Sequence, residues 1–308
     1  MNNSMQHDAP REGTPLWIQG EIQQQIKWRD GDVVVSVPAK SGTTWTMNIV
    51  YQLFTGGTPA FRDIYEEVPW IEFLSYPGQP WQEVVDRVEA MPTGGRRAFK
   101  THSAPPDIPF LKNGFGRNVK YVVVFRNPEE ALVSFRSFLG QHTDEWFELW
   151  QVPREALCRE DFPSFYHEVV DPKQMQGMFF GFLAAWWPLR TEKNVLFLHY
   201  SDMTREHEAT VRKIAAFLDI EPSSEQWPDI LEYTSFPWMK QHEEKFEART
   251  AGKVPILKTG AMIRKGKVGK AKSDGMTDDI AQHLRESAGM YCQDPTAIKW
   301  YYEGGELP

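Results

Sequence analysis

The sequence has few cysteines, fewer basic than acidic residues and no long apolar run, and each of these features argues against a class of protein. Cys158 and Cys292 are its two cysteines, too few for a disulfide framework and not spaced as a CxxC redox or metal site. A formal net charge of −8 argues against a general nucleic-acid-binding protein. No segment has the apolar length of a signal peptide or a membrane span. We therefore expect a soluble cytoplasmic protein without a nucleic-acid or membrane partner.

Length and pattern favour an α/β protein. A chain of 308 residues with 41% hydrophobic content can bury a large core. Strand and helix signals alternate, and no internal repeat or low-complexity tract interrupts them. The sequence predicts one domain over residues 1–308, in which the polar residues 1–14 are flexible.

The most informative stretch is PAKSGTTW at residues 38–45. It follows the β-branched run VVVSV at 33–37, which is typical of a strand buried on both faces. Apolar residues then recur at helical spacing over 45–53. In such a strand, loop and helix unit, backbone N–H groups, the helix dipole and the Lys40 charge favour an anion, most simply a phosphate. The alternative is an ordinary turn in which Ser and Thr cap the helix.

This loop lacks the glycine spacing of a nucleoside triphosphate P-loop. Gly42 follows Lys40, and no glycine precedes Lys40 at the required interval. No clear Mg²⁺-binding carboxylate follows a strand either. A kinase of a small metabolite is therefore the less favoured reading.

A histidine is predicted at the same edge of the sheet. Residues 97–102, RAFKTH, read as a short strand that ends at His102, because SAPP follows at once. Carboxyl ends of parallel strands share one edge, so His102 should lie near Lys40. Imidazole can take a proton from a hydroxyl. A single histidine is also commonly an ordinary core or surface residue.

A further strand and helix follow at the same edge. Residues 121–125, YVVVF, read as a buried strand, and Asn127 and Pro128 are good residues to cap and begin a helix. Arg126 and Ser134 then either face an anion, or Arg126 pairs with a nearby carboxylate and Ser134 is simply exposed. The sequence leaves both alternatives open.

The rest of the chain yields coarser predictions. Residues 179–187 read as a buried helix and 194–198 as another strand. Residues 139–175 read as an irregular insertion that serves as a lid or an acceptor wall. The segment 264–272 contains five basic residues among nine and is either a solvated loop or a phosphate-binding loop. Residues 276–303 should close the fold with a helix and an aromatic tail.

Taken together, the ordered motifs resemble the cytosolic-type sulfotransferase family, which uses 3′-phosphoadenosine-5′-phosphosulfate (PAPS) and releases adenosine 3′,5′-bisphosphate (PAP). The resemblance implies a three-layer P-loop-like α/β fold, with a central parallel β-sheet flanked by helices. It rests on PAKSGTTW at 38–45, KTH at 100–102, RNPEEALVSF at 126–135, WW at 186–187, HYSDM at 199–203, TSF at 234–236 and RKGKVG at 264–269.

The resemblance also implies roles for individual residues. His102 removes a proton from an acceptor hydroxyl or amine, Lys40 neutralises charge on the bridging oxygen, and Lys100 adds positive charge. No metal is required. The implied donor contacts are Lys40, Ser41, Gly42, Thr43, Thr44, Trp45, Arg126, Ser134, Tyr200, Thr234, Phe236, Arg264, Lys265 and Gly266.

Two departures from the family pattern stand out. Lys270 and Ala271 replace the usual Asp-Trp pair, and the dimerisation motif is not recognisable in 272–285, so a monomer and a homodimer both remain open.

Aromatic residues in 55–97 favour a small apolar acceptor, although such residues are also ordinary core. A catalytically inactive nucleotide-binding protein is disfavoured because Lys40 and His102 are both present.

Overall fold

The centre of the fold is a sheet of four parallel strands: β1 Val33–Ser36, β2 Ala98–Thr101, β3 Lys120–Phe125 and β4 Val195–His199. Their spatial order is β2-β1-β3-β4. This computed structural model describes residues 15–92, 95–112, 118–248, 254–263, 266 and 268–308. The predicted flexibility of residues 1–14 therefore falls outside the described residues. The buried strand runs predicted at 33–37 and 121–125 are confirmed, because every residue of β1 and β3 is buried.

Thirteen α-helices occur in the described part of the chain. They are α1 Thr43–Thr55, α2 Ile64–Glu67, α3 Trp81–Glu89, α4 Pro128–Leu139, α5 Asp144–Trp150, α6 Phe162–Phe165, α7 Gly177–Trp186, α8 Tyr200–Arg205, α9 His207–Phe217, α10 Gln226–Tyr233, α11 Phe236–Gln241, α12 Asp278–Tyr291 and α13 Pro295–Glu303. Short 3₁₀ segments lie at Gly20–Gln25, Arg154–Ala156, Trp187–Leu189, Glu243–Phe246 and Lys272–Asp274, and a π-helical turn at Tyr166–Val170. No described helix is long and apolar enough to cross a membrane.

The two faces of the sheet carry separate apolar cores. Val34 and Val123 pack with residues of α4, α7, α12 and α13 on one face. Val33 and Val122 pack with residues of α1, α9 and α10 on the other. Successive side chains of a strand point to opposite faces, so a β-branched run supplies both cores at once. The predicted three-layer α/β arrangement is confirmed.

The prediction of an irregular segment at 139–175 is wrong. Helix α5 begins after Thr143, whose Oγ1 accepts a hydrogen bond from the Trp146 N–H at 3.1 Å. Trp146, Phe147 and Trp150 are all buried, so aromatic packing stabilises a helix that is too short to show a clear period in the sequence. Residues 276–303 were predicted to form one helix and an aromatic tail. They form two helices, α12 and α13.

Helix α4 begins as the sequence predicts. The Asn127 side-chain oxygen accepts a hydrogen bond from the Glu129 N–H at 2.9 Å, and Pro128 occupies the first helical position. This turn places Arg126 directly at the carboxyl end of β3, on the edge that carries the candidate site.

Candidate active site

A cavity of about 800 Å³ lies at the carboxyl ends of the strands. Its wall includes Lys40 after β1, His102 after β2 and Arg126 after β3. Parallel strands bring these residues together although they are far apart in the sequence. The predicted common edge is confirmed.

The loop before α1 has the features of an anion site. Gly42 lies in the left-handed region at φ +102°, and a Cβ there would approach Tyr200 Cδ2 to 2.8 Å. Helix α1 starts without a side-chain cap hydrogen bond, so the alternative in which Ser and Thr cap it is not observed. Ser41 Oγ and Thr43 Oγ1 are buried without a hydrogen-bond partner in the described structure. Buried hydroxyls normally have partners, and an anion bound in the cavity would satisfy the hydroxyl of Thr43, which lines it.

His102 is held in one tautomer. Its Nδ1 lies 2.5 Å from the carbonyl oxygen of Val37, which can only accept, so Nδ1 carries the proton and Nε2 the lone pair. Burial, with the positive charges of Lys100 and Lys40, holds the pKa of His102 well below its ordinary value of 6.5. The ring is therefore neutral at physiological pH and can accept a proton at Nε2.

A buried acid that the sequence did not single out supports this strand end. Glu72 is fully buried on the cavity wall, and its Oε1 accepts the His102 backbone N–H at 2.6 Å. Lys100 is 3% exposed, and its Nζ lies 3.0 Å from the centre of the Trp70 ring. Burial raises the pKa of Glu72 and lowers that of Lys100, while the charge of each group opposes the shift of the other. The available signal was an acid inside the apolar run WIEFL at 70–74.

Arg126 combines the two alternatives that the sequence left open. It pairs with Glu130, with Nη2 and Oε2 3.3 Å apart, and it also lines the cavity. Its Nη1 donates to the Lys40 carbonyl at 2.9 Å, so it also supports the anion loop. Ser134 lines the cavity too, and its hydroxyl makes no hydrogen bond to the described residues.

A second part of the cavity is built around Trp45. The Tyr200 ring lies 5.9 Å from the Trp45 ring, and Phe236 and Gly266 complete this wall. A Cβ on Gly266 would lie 2.5 Å from Phe236 Cε2, so these two residues are in close contact. Thr44 also lines the cavity, whereas Ser41 and Thr234 do not. Arg264 and Lys265 lie outside the described residues.

A third part of the cavity is apolar. Trp70 stacks on Phe73 with ring centres 4.6 Å apart, and Trp17 meets Trp146 edge to face at 4.5 Å. His142 lies on this wall, and burial lowers its pKa to about 4. The sequence did not indicate Trp17 or His142, because only tertiary contacts bring the N-terminal segment and the end of α4 to this site.

Residues 30–294 match the sulfotransferase domain family. The chain belongs to the sulfotransferase family. Relatives include mouse sulfotransferase 1E1, 25% identical over 265 residues that cover 84% of this chain and 83% of the relative. Rat sulfotransferase 1C2 is 28% identical over 254 residues that cover 81% of this chain and 79% of the relative.

Solved sulfotransferase structures share the fold. Mouse sulfotransferase SULT7A1 in complex with PAP matches with a TM-score of 0.66 at 20% identity, over 94% of this chain and 93% of that one. Retinol dehydratase in complex with retinol and PAP matches with a TM-score of 0.64 at 19% identity, over 92% and 84%. At such identities the likeness shows the fold alone, and the chemistry is inferred from the geometry of the site.

Proposed function

We propose that this sulfotransferase transfers a sulfuryl group from PAPS to a hydroxyl or amine of a small apolar acceptor. One observation carries the proposal: a neutral histidine with a lone pair on Nε2 shares a single cavity with Lys40, Lys100 and an anion loop. The PAP complexes of two structural neighbours agree with it.

The loop residues fit an anionic donor. When bound, PAPS supplies the sulfuryl group and several negative charges. The unpartnered hydroxyl of Thr43, which lines the cavity, and the amino terminus of α1 supply hydrogen-bond donors, and Lys40 supplies a full charge. Trp45 and Phe236 present aromatic faces to a base in the second part of the cavity. Arg126 and Ser134, for which the family resemblance implies contacts with the 3′-phosphate, both line the cavity.

The acceptor side fits proton removal. His102 Nε2 takes the proton of the attacking hydroxyl or amine, while the Val37 carbonyl holds the opposite ring nitrogen. Lys100 and Lys40 stabilise the charge that develops during transfer. The third, apolar part of the cavity, which includes Trp70 and Phe73, excludes water and favours an apolar acceptor.

The direct test compares two donors. Incubation with sulfur-labelled PAPS and a panel of phenols, sterols and aliphatic alcohols should label an acceptor. Phosphorus-labelled ATP with Mg²⁺ should label none, because the loop lacks the glycine spacing of a triphosphate site. Labelling from ATP would favour the kinase alternative instead, and PAPS binding without turnover on the whole panel would favour an inactive nucleotide-binding protein.

A binding experiment tests the 3′-phosphate site. The wild-type protein should bind PAP far more tightly than AMP, since charge-assisted hydrogen bonds contribute roughly 1.5–3 kcal/mol each. Ser134→Ala should weaken PAP roughly tenfold and leave AMP unchanged, because the Ser134 hydroxyl supports no other described residue. Calorimetry gives both affinities.

Arg126→Ala is the less specific variant for the same experiment. Arg126 also donates a hydrogen bond to the Lys40 carbonyl. The Arg126→Ala change should therefore weaken the binding of both PAP and AMP. Equal affinities of PAP and AMP in the wild type would remove the proposed 3′-phosphate site.

The broader setting of the enzyme is also proposed. Residues 1–308 form one domain that acts in the cytoplasm on a small-molecule acceptor, as a monomer or homodimer. The two cysteines, Cys158 and Cys292, are free thiols, which suits a reducing compartment.

A further inference from the structure

His207, the first residue of α9, occupies a place that the proposed mechanism does not use. It lines the cavity beside Trp45, with ring centres 5.8 Å apart and ring planes at 33°. Trp45 belongs to the part of the cavity proposed above for the base. A polar ring next to that aromatic face is placed to contact an edge of the base.

Hydrogen bonds fix which nitrogen of His207 carries the proton. Thr234 Oγ1 lies 2.7 Å from the Ile230 carbonyl oxygen, to which it must donate, because a carbonyl only accepts. The same Oγ1 lies 2.9 Å from His207 Nε2 and therefore accepts the proton of that nitrogen. Nδ1 is left with a lone pair and makes no hydrogen bond to any other residue of the described chain. Burial lowers the pKa of His207, which favours this neutral form.

Two other polar groups in this part of the cavity are committed to backbone partners, whereas the Tyr200 hydroxyl beside Trp45 makes no hydrogen bond to the described residues. The Trp45 indole N–H donates to the Thr234 carbonyl at 2.8 Å, and Thr204 Oγ1 donates to the Tyr200 carbonyl at 2.8 Å. Thr234 is fully buried, its hydroxyl and its carbonyl are both occupied, and it does not line the cavity. The donor contact that the family resemblance implies for Thr234 is therefore not available to its side chain. His207, which is hydrogen-bonded to Thr234, does line the cavity.

We propose that His207 selects the base of the donor nucleotide: Nδ1 accepts a hydrogen bond from the exocyclic amino group of adenine. A purine with a carbonyl oxygen at that position would oppose two acceptors and leave both unpaired. The assignment rests on the proposed PAPS site. It identifies Thr234 as a positioning residue, which sets the tautomer of His207 without touching the nucleotide.

The test compares PAP with inosine 3′,5′-bisphosphate, in which a carbonyl replaces the amino group. Calorimetry on the wild-type protein should give at least about tenfold tighter binding of PAP, because a site built for a donor disfavours an acceptor. His207→Phe keeps a ring beside Trp45 but has no acceptor, and it should bring the two affinities to within about threefold. His283→Phe is the matched control, because His283 lies on α12 outside the cavity with its side chain 48% exposed. It should keep the wild-type preference.

The outcomes separate this assignment from the proposed function. Binding of both nucleotides without discrimination would keep the donor site and overturn the role of His207. A folded His207→Phe protein that still prefers PAP would overturn it as well. Failure of the wild type to bind either nucleotide would remove the donor site and this assignment together.

A second measurement uses only the unaltered protein. Nitrogen NMR of histidine-labelled protein should show His207 protonated at Nε2, and added PAP should shift its Nδ1 resonance. Inosine 3′,5′-bisphosphate should leave that resonance in place. An Nδ1 signal that does not respond to PAP, or a proton on Nδ1 in the free protein, would overturn the assignment.

Discussion

Replacing His102 by Ala should lower turnover by about 10²-fold or more and leave the affinity for PAP nearly unchanged. The effect on turnover follows from the loss of the Nε2 lone pair, which is the proposed proton acceptor. Donor affinity should persist because the anion loop follows β1 and does not include the histidine. Steady-state kinetics with PAPS and calorimetry with PAP measure the two quantities separately.

His102→Asn is the matched variant. The Asn amide can replace Nδ1 as donor to the Val37 carbonyl but offers no base at the position of Nε2. If His102 is the base, turnover of His102→Asn should be as slow as that of His102→Ala, while the thermal stability of His102→Asn stays near that of the wild type. If the histidine only holds the loop, Asn should restore activity, and that result would contradict the assignment.

The pH dependence of kcat/KM gives a further readout of the same group. A histidine with a lowered pKa stays neutral to lower pH, so activity is lost only as pH falls through that lowered value. The acidic limb of kcat/KM, which reports the free enzyme, should therefore lie below pH 6.5. Since the charge of Lys40 contributes to the lowering, Lys40→Met should move this limb upward. A limb above 6.5 in the wild type would contradict the burial argument.

Replacing Lys40 by Met should reduce turnover by about 10²- to 10³-fold and also weaken donor binding. Met keeps most of the length of the side chain and its contact with Phe138, whose ring centre lies 4.4 Å from Nζ, but it removes the charge. An ammonium that stabilises developing charge acts more strongly in the transition state than in the ground state, so kcat should fall more than affinity. Steady-state kinetics with calorimetry measures the two effects.

Lys112→Met is the control for this change. Lys112 is 57% exposed and paired with Glu192 at 2.9 Å, and it does not line the cavity. Its replacement should change neither quantity. Normal turnover in a folded Lys40→Met protein would show that the charge of Lys40 is not needed for transfer.

Strand ends and helix starts were predictable because their causes are local. The run VVVSV predicts a strand buried on both faces, and its alternating side chains do enter separate cores. Asn127 and Pro128 predict the start of α4, since a cap hydrogen bond involves neighbouring residues. Segment 139–175 was mispredicted because its helices depend on aromatic packing with distant residues, such as Trp17 against Trp146.

The sequence by itself determined the strand, loop and helix units and placed Lys40, His102 and Arg126 at one sheet edge, because parallel strands share a direction. Only the tertiary structure decided the chemical state of the two histidines. The Val37 carbonyl fixes the proton of His102, and Thr234 fixes that of His207, from 65 and 27 residues away. Tautomer and pKa depend on burial and on hydrogen-bond partners that folding brings together, and no local pattern in the sequence records those contacts.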